Sequence, residues 1–284
     1  MTVRHAAVLF VVLVVAARLA PVAQAQTPEQ IQQCQNAYDE PELRVKACTA
    51  LIESKAASEK DLSNVLVLRG MGFVDLGDAD KAMADFTEAL HVTPDSDFAL
   101  HMRGQLLSDY GRFDAAIADF DQAIRLDPDE GSNFHGRAAA YEAKGLYERA
   151  IADFDEVFRL EPFDQYVLSF RCAARAHWGR QLDLALKDCG QALDRRNGDE
   201  FTLEQRGLIY LRLGRYREAI ADYTGALKSY DGRVESLYGR GIAKLRTGDT
   251  AGGQADIAQA TSIKADISKT FAAWGVTPEI KSEK

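Results

Sequence analysis

The sequence predicts an all-α protein built as a linear array of helix pairs, and three ladders of residues predict it. Arginines stand at Arg69, Arg103, Arg137, Arg171, Arg206 and Arg240, in steps of 34, 34, 34, 35 and 34. Glycines eight residues later, Gly77, Gly111, Gly145, Gly179, Gly214 and Gly248, keep the same steps. Aspartates Asp85, Asp119, Asp153, Asp188, Asp222 and Asp256 step by 34, 34, 35, 34 and 34, so the one extra residue lies between Gly179 and Asp188. A 34-residue period is the length of a helix-turn-helix unit, and a stacked array of such units needs no division into conventional domains.

The elements follow in order from local signals. In the clearest copy the first helix is expected from Asp97 to Tyr110, where Gly111 supplies the positive φ needed past a helix end. The second helix is expected from Phe113 to Leu126 and stops at Pro128, with Pro94 and Pro162 at the same place in neighbouring copies. Asp95, Ser96 and Asp97 offer N-caps for the helix after Pro94. The six units are placed at 63–96, 97–130, 131–164, 165–199, 200–233 and 234–265, within a repeat region of 61–265. Residues 26–60 read as a degenerate helix pair split at Asp39-Glu40-Pro41. Residues 266–284 read as a capping helix and a frayed tail, with Phe271 and Trp274 available to cover the last open face. Units five and six depart from the pattern: Asp231 and Ala265 replace the stop proline and Gly253 replaces a small alanine, so weaker packing is expected near the C-terminus.

These residues resemble the tetratricopeptide-repeat family. Leu100, Gly104, Leu107, Gly111, Ala116, Phe120, Ala123 and Pro128 stand at its spacing, and Ala138, Tyr141, Gly145, Ala150 and Phe154 repeat it. Small residues let two helices approach and large ones fill the space between them. The resemblance implies a right-handed superhelical solenoid of helix-turn-helix units and a protein that binds other proteins or peptides in a concave groove lined by the first helix of each unit.

Carried over position by position, the expected lining starts with Asn64, Val67 and Met71, then Phe98, His101, Gln105 and Asp109, then His135 and Glu142. It continues with Tyr166, Ser169 and His177, then Phe201, Glu204 and Arg212, and ends with Tyr238, Ile242 and Arg246. Phe98, Tyr166 and Phe201 share one register; exposed, they would be anchor points for a peptide, and otherwise they pack on the neighbouring unit. The groove is mixed in sign, with Arg212 and Arg246 only at its C-terminal end, which argues against a clamp for acidic tails.

The four cysteines also take their reading from the family. Cys172 occupies the position equivalent to Gly104 and Cys189 that of Phe120, positions that face each other within one unit of the family. Cys34 and Cys48 sit at what look like the same two places in the N-terminal pair, so Cys34 is expected to bond Cys48 and Cys172 to bond Cys189. The alternative is four buried thiols.

An oxidising compartment is expected from the first 25 residues. Arg4 and His5 precede an apolar run, Ala6 to Ala17, and Ala23-Gln24-Ala25 is the small-x-small pattern of a signal-peptidase site. About a dozen apolar residues are short for a bilayer span, so cleavage after Ala25 and a periplasmic or secreted mature chain is the reading, with an uncleaved anchor as its alternative. No later apolar stretch is long enough to cross a membrane. Removal of Arg4 and Arg18 would take the formal net charge from -9 to -11, an acidity that disfavours nucleic acid as a partner.

The remaining polar residues do not assemble chemistry. The arginine and aspartate ladders read as ion pairs holding each unit, or each junction, together rather than as binding groups. His101 and His135 occupy equivalent positions; His91 and His177 stand alone, and His5 falls in the export segment. No nucleophile motif, phosphate loop or metal-ligand spacing accompanies them, so no catalytic residue, cofactor or metal is expected. The functional expectation is a protein-interaction scaffold or adaptor, a monomer with an unidentified protein or peptide partner. A self-associating structural subunit is the alternative, and an enzyme with a cryptic groove site is a third class.

Overall fold

The computed structural model describes residues 28–37, 40–54 and 59–278. The expected export segment 1–25 and the end of the expected tail, 279–284, lie outside the described residues. Every regular element among the described residues is an α-helix. An N-terminal pair, α1 (Pro28–Asn36) and α2 (Pro41–Glu53), precedes six antiparallel pairs. These are α3 (Glu59–Asp75) with α4 (Ala79–Val92), α5 (Asp97–Asp109) with α6 (Phe113–Leu126), and α7 (Gly131–Ala143) with α8 (Tyr147–Leu160). Then come α9 (Val167–Trp178) with α10 (Leu182–Arg195), α11 (Glu200–Arg212) with α12 (Tyr216–Ala226), and α13 (Val234–Arg246) with α14 (Thr250–Ile263). A short α15 (Ile267–Ala273) ends the described chain. Each helix packs on the next, so the protein is an α-solenoid of helical repeats.

The turns inside the pairs show why the glycine ladder exists. Gly111 has φ 70°, and the next amide, Arg112 N, donates to the Leu107 carbonyl at 2.8 Å, the six-to-one bond of a Schellman motif. Phe73, Tyr141, Tyr210 and Lys244 carbonyls accept the same bond in the other regular pairs, at 2.8–3.0 Å. The fourth pair is different. Gly179 is left-handed at φ 73°, but Gln181 follows at φ 55°, the one described non-glycine residue in that region. The thirty-fifth residue is thus taken up by a second left-handed position, where a side chain is disfavoured.

Packing within the array turns on rings seated between backbones. Phe120 is fully buried between Gly104 and Gly136; a Cβ at either would stand 3.0 or 2.5 Å from its ring. In the fourth pair the ring and its glycine are replaced by the Cys172–Cys189 disulfide, with Cα atoms 5.5 Å apart. Cys34 and Cys48 are bonded in the N-terminal pair, Cα atoms 4.9 Å apart. Buried Arg44 fixes that pair to α3 through Asp75 at 3.1 Å.

The C-terminal pairs do not show the looser packing expected of them. Gly253 and Gly241 bring the backbones of α14 and α13 together so closely that a Cβ on Gly253 would lie 2.8 Å from the Gly241 carbonyl oxygen. The glycine is a contact in its own right rather than a deficit. A continuous core that includes Leu208, Ile209, Tyr223, Leu237, Ile242 and Phe271 runs through this end of the array.

The arginine and aspartate ladders are pairs inside each unit. In all six, Arg Nε and Nη2 grip both carboxylate oxygens of the partner aspartate, at 2.7–3.0 Å. This fork holds the first helix to the second in fixed register. Three of the arginines also bridge junctions: Arg137 Nη1 reaches Asp121 at 2.6 Å, Arg171 Nη1 reaches Asp155 at 2.7 Å and Arg69 Nη1 reaches Thr49 Oγ1 at 3.4 Å.

Candidate partner-binding groove

The first helices α3, α5, α7, α9, α11 and α13 carry the residues expected to line the groove, and the structure divides them. Asn64, Phe98, Gln105, Asp109 and Tyr166 are exposed; Met71, His101, His135, Glu142, His177, Phe201, Glu204, Arg212 and Arg246 are half-buried. Val67, Ser169, Tyr238 and Ile242 are buried, each 3% exposed or less, and are corrected from lining to core. Val67 packs in the cluster between the first and second units, and Tyr238 and Ile242 belong to the C-terminal core. Ser169 Oγ meets Thr202 Oγ1 at 2.7 Å, tying α9 to α11.

The three aromatics in one register have three environments. Phe98 is 42% exposed. Tyr166 is 44% exposed, with the Arg196 guanidinium 4.3 Å over its ring. Phe201 packs on Phe170, ring centres 5.6 Å apart.

Neither His101 nor His135 is simply solvated. His101 Nδ1 lies 2.9 Å from Asn133 Oδ1. His135 stands edge-on to Phe154 and Phe170, at 5.7 and 4.8 Å. Burial pushes the His135 imidazole below its ordinary pKa, with Asp164 and Glu142 opposing and His101 reinforcing. In the unfolded chain the ring titrates at about 6.5. The unfolded state therefore binds more protons below that pH, and stability is lost as pH falls through the folded value. His135→Phe is expected to flatten the fall in urea midpoint on acidification below pH about 6.5; an unchanged slope would count against a buried neutral ring.

The C-terminal segment goes further than an end cap. Phe271 packs on Tyr238 of α13, ring centres 4.9 Å apart. Trp274 reaches back to α9 and stacks on His177 at 4.4 Å with the planes 7° apart. Arg212 Nη2 donates to the His177 carbonyl at 3.2 Å and also to the Trp274 carbonyl, placing a cation at the C-terminal ends of α9 and α15. Arg246 Nη2 donates to the Thr277 carbonyl at 3.3 Å. Residues 271–277 are thus latched across the ends of α9, α11 and α13. His177, read as solitary from the sequence, is held on one side by Trp274 and on the other by Glu142 Oε1 at 2.7 Å. Two cavities flank the latch: one of about 370 Å³ with Arg212, Arg246 and Val276 in its lining, and one of about 200 Å³ under Phe271 and Trp274.

This architecture is that of a helical-repeat solenoid presenting its first helices on one face. Residues 97–130, 133–164 and 205–260 match models of the tetratricopeptide repeat, so the chain carries tetratricopeptide repeats. No curated protein sequence matches it. A tetratricopeptide repeat protein from Parabacteroides merdae is similar in structure, with TM-score 0.68 and 17% identity over 87% of this chain and 98% of that one. PilW, a type IV pilus biogenesis factor, has TM-score 0.64 and 16% identity over 75% of this chain and 98% of its own. The pilF protein of Pseudomonas aeruginosa has TM-score 0.61 and 13% identity over 76% and 98%. At these identities the likeness is one of fold. No helix among the described residues is long and apolar enough to cross a membrane.

Proposed function

We propose that this protein is an exported scaffold that binds a protein or peptide along the first-helix face of its first four units, without catalysing a reaction. The observation that carries this reading is the pair Phe98 and Tyr166, 42% and 44% exposed in one register, on the part of that face that the C-terminal segment leaves open. Large, part-exposed aromatic side chains in one register are suited to anchor a partner's surface. Export is supported by the basic, apolar and small-x-small order of residues 1–25 and by the pairing of all four cysteines.

The test is capture of partners by the mature chain, starting at Gln26, against a variant carrying Phe98→Ala, Gln105→Ala and Tyr166→Ala. Phe201 is left intact because its ring packs on Phe170. A partner held by the parent and lost by the folded variant is the expected result; a partner held equally by both moves the site off this face. A second reading, a subunit that associates with its own copies, draws on Phe163, 93% exposed on the turn between α8 and α9. Light scattering decides it, since a monomer at all concentrations removes it.

A further inference from the structure

The smaller cavity beneath the C-terminal segment, about 200 Å³, has the chemistry of a binding site. Three of its lining side chains hold buried polar atoms with no hydrogen-bond partner in the protein: His177 Nε2, Gln205 Oε1 and the Tyr223 hydroxyl. Gln205 is 5% exposed and Tyr223 1%. Buried polar groups in folded proteins are almost always paired, with protein or with bound molecules, so three orphans on one cavity mark it as a place for a bound polar partner.

The orphans specify what kind. His177 Nδ1 lies 2.7 Å from the Glu142 carboxylate, which can only accept; in the singly protonated ring the proton therefore sits on Nδ1, which leaves Nε2 as an acceptor. Gln205 presents its carbonyl oxygen. Two carboxylates, Glu204 and Glu235, complete the polar lining, and no lysine or arginine side chain lines it. Ser236 Oγ donates to Glu204 Oε2 at 2.5 Å with Arg233 Nε at 3.5 Å, and Lys264 Nζ donates to Glu235 Oε1 at 3.4 Å; neither cation comes within the roughly 2.7–2.9 Å of a close charge-assisted bond. Burial pushes the Glu204 carboxyl above the usual carboxylate range, with Ser236 and Arg233 opposing, and a positive charge in the cavity would reverse that. Leu208, Phe271 and Trp274 supply the apolar part of the wall.

We propose that this cavity binds a primary alkylammonium group, either a lysine side chain of a partner or a free aliphatic amine. An ammonium brings three donors and no acceptor to a lining rich in acceptors, while its carbon stem meets the apolar wall. The site goes beyond the concave-face reading, since a chain that captured no partner on Phe98 and Tyr166 would still bind the amine.

The experiment is isothermal titration calorimetry on the full chain with three probes: N-acetyl-lysine methylamide, pentylamine, and N-acetyl-norleucine methylamide, which lacks the ammonium. The lysine derivative or pentylamine is expected to bind saturably, with Kd below about 1 mM, and the norleucine derivative at least about tenfold more weakly. Preference for the lysine derivative assigns the site to a peptide lysine; equal or better binding of pentylamine assigns it to free amines. Glu204→Gln, checked for folding by circular dichroism, is expected to weaken binding about tenfold. No saturable binding of either amine at about 10 mM would mean the cavity holds only ordered water. Norleucine binding as tightly as lysine would mean it is merely apolar. Either result overturns the proposal, and both are read on the unmodified chain, so a variant that fails to fold does not decide the matter.

Discussion

Replacing Cys172 and Cys189 together by alanine is expected to lower stability by about 3 kcal/mol and to divide unfolding into two transitions. The magnitude follows from the loop: the bond joins residues 17 apart in sequence, and the chain-entropy treatment puts a loop of that size near 3 kcal/mol. The division follows from position. The bond lies in the fourth unit, whose Leu168 and Ala174 pack into the core shared with Phe134 and Phe154, while Cys172 and Cys189 themselves belong to the C-terminal core. On its N-terminal side the fourth unit meets the rest of the described array only through its neighbour, and the C-terminal latch ties it to the units after it, so weakening it uncouples the two sides there. This unit has no ring where Phe120 sits in the second, and it carries the left-handed Gln181. Urea unfolding followed by far-ultraviolet circular dichroism and by tryptophan fluorescence should give non-coincident curves in the variant and coincident ones in the parent. Cys34→Ala with Cys48→Ala removes a similar loop at the array's end, and its effect should stay confined to melting of α1 and α2. A single transition with an unshifted midpoint in the Cys172, Cys189 variant would show that the bond merely decorates a unit already held by its neighbours.

The contrast between these cysteines and the C-terminal segment marks how far the sequence can be read. The resemblance to the tetratricopeptide repeat implies Cys172 opposite Cys189, and the shared period of the two ladders points to arginine–aspartate pairs while leaving unit and junction open; the structure makes both contacts within one unit, where helix-turn-helix geometry is local. Whether a first-helix residue lines the open face or enters the core depends on how tightly consecutive units curve, and no single unit contains that information. Val67, Ser169, Tyr238 and Ile242 are buried for this reason, although the family's positions put them in the lining. The same curvature brings Trp274 onto His177 across three units, a contact without any signal in spacing. Phe271 and Trp274 were recognisable as apolar residues seeking cover, but not the surface they would find. Gly253 was misread differently: a glycine in a helix lowers propensity, yet here it allows the backbone approach to Gly241 that an alanine would block. The cavity under Trp274 exists only once these non-local contacts form, so its lining could not be assembled from the sequence.

Arg103→Ala should destabilise the protein by about 2–4 kcal/mol, and Arg171→Ala by clearly less. Removing one member of a buried ion pair leaves the other charged and unpaired, typically at a cost of about 3–5 kcal/mol; the Arg103 side chain is 25% exposed and Asp119 9%, so the lower figure allows for residual hydration. Asp119 receives both of its fork bonds from Arg103. Asp188 is slightly more buried, at 6%, but takes hydrogen bonds from both Arg171 and Arg175, so it keeps a guanidinium when Arg171 is lost. A third variant separates geometry from net stabilisation. In Arg103→Met with Asp119→Leu both charges leave together, and because the cost of burying them leaves too, stability should recover most of the loss. If the fork mainly fixes register, that double variant will be as stable as the parent but poorer at whatever the first-helix face binds, since α5 carries Phe98 and Gln105 next to the lost pair. Urea midpoints for the four proteins decide the energetic part. Equal losses for Arg103→Ala and Arg171→Ala would show that the second guanidinium on Asp188 contributes nothing. A loss under about 0.5 kcal/mol for Arg103→Ala would make the whole ladder a surface feature rather than the joint that sets the spacing of the repeats.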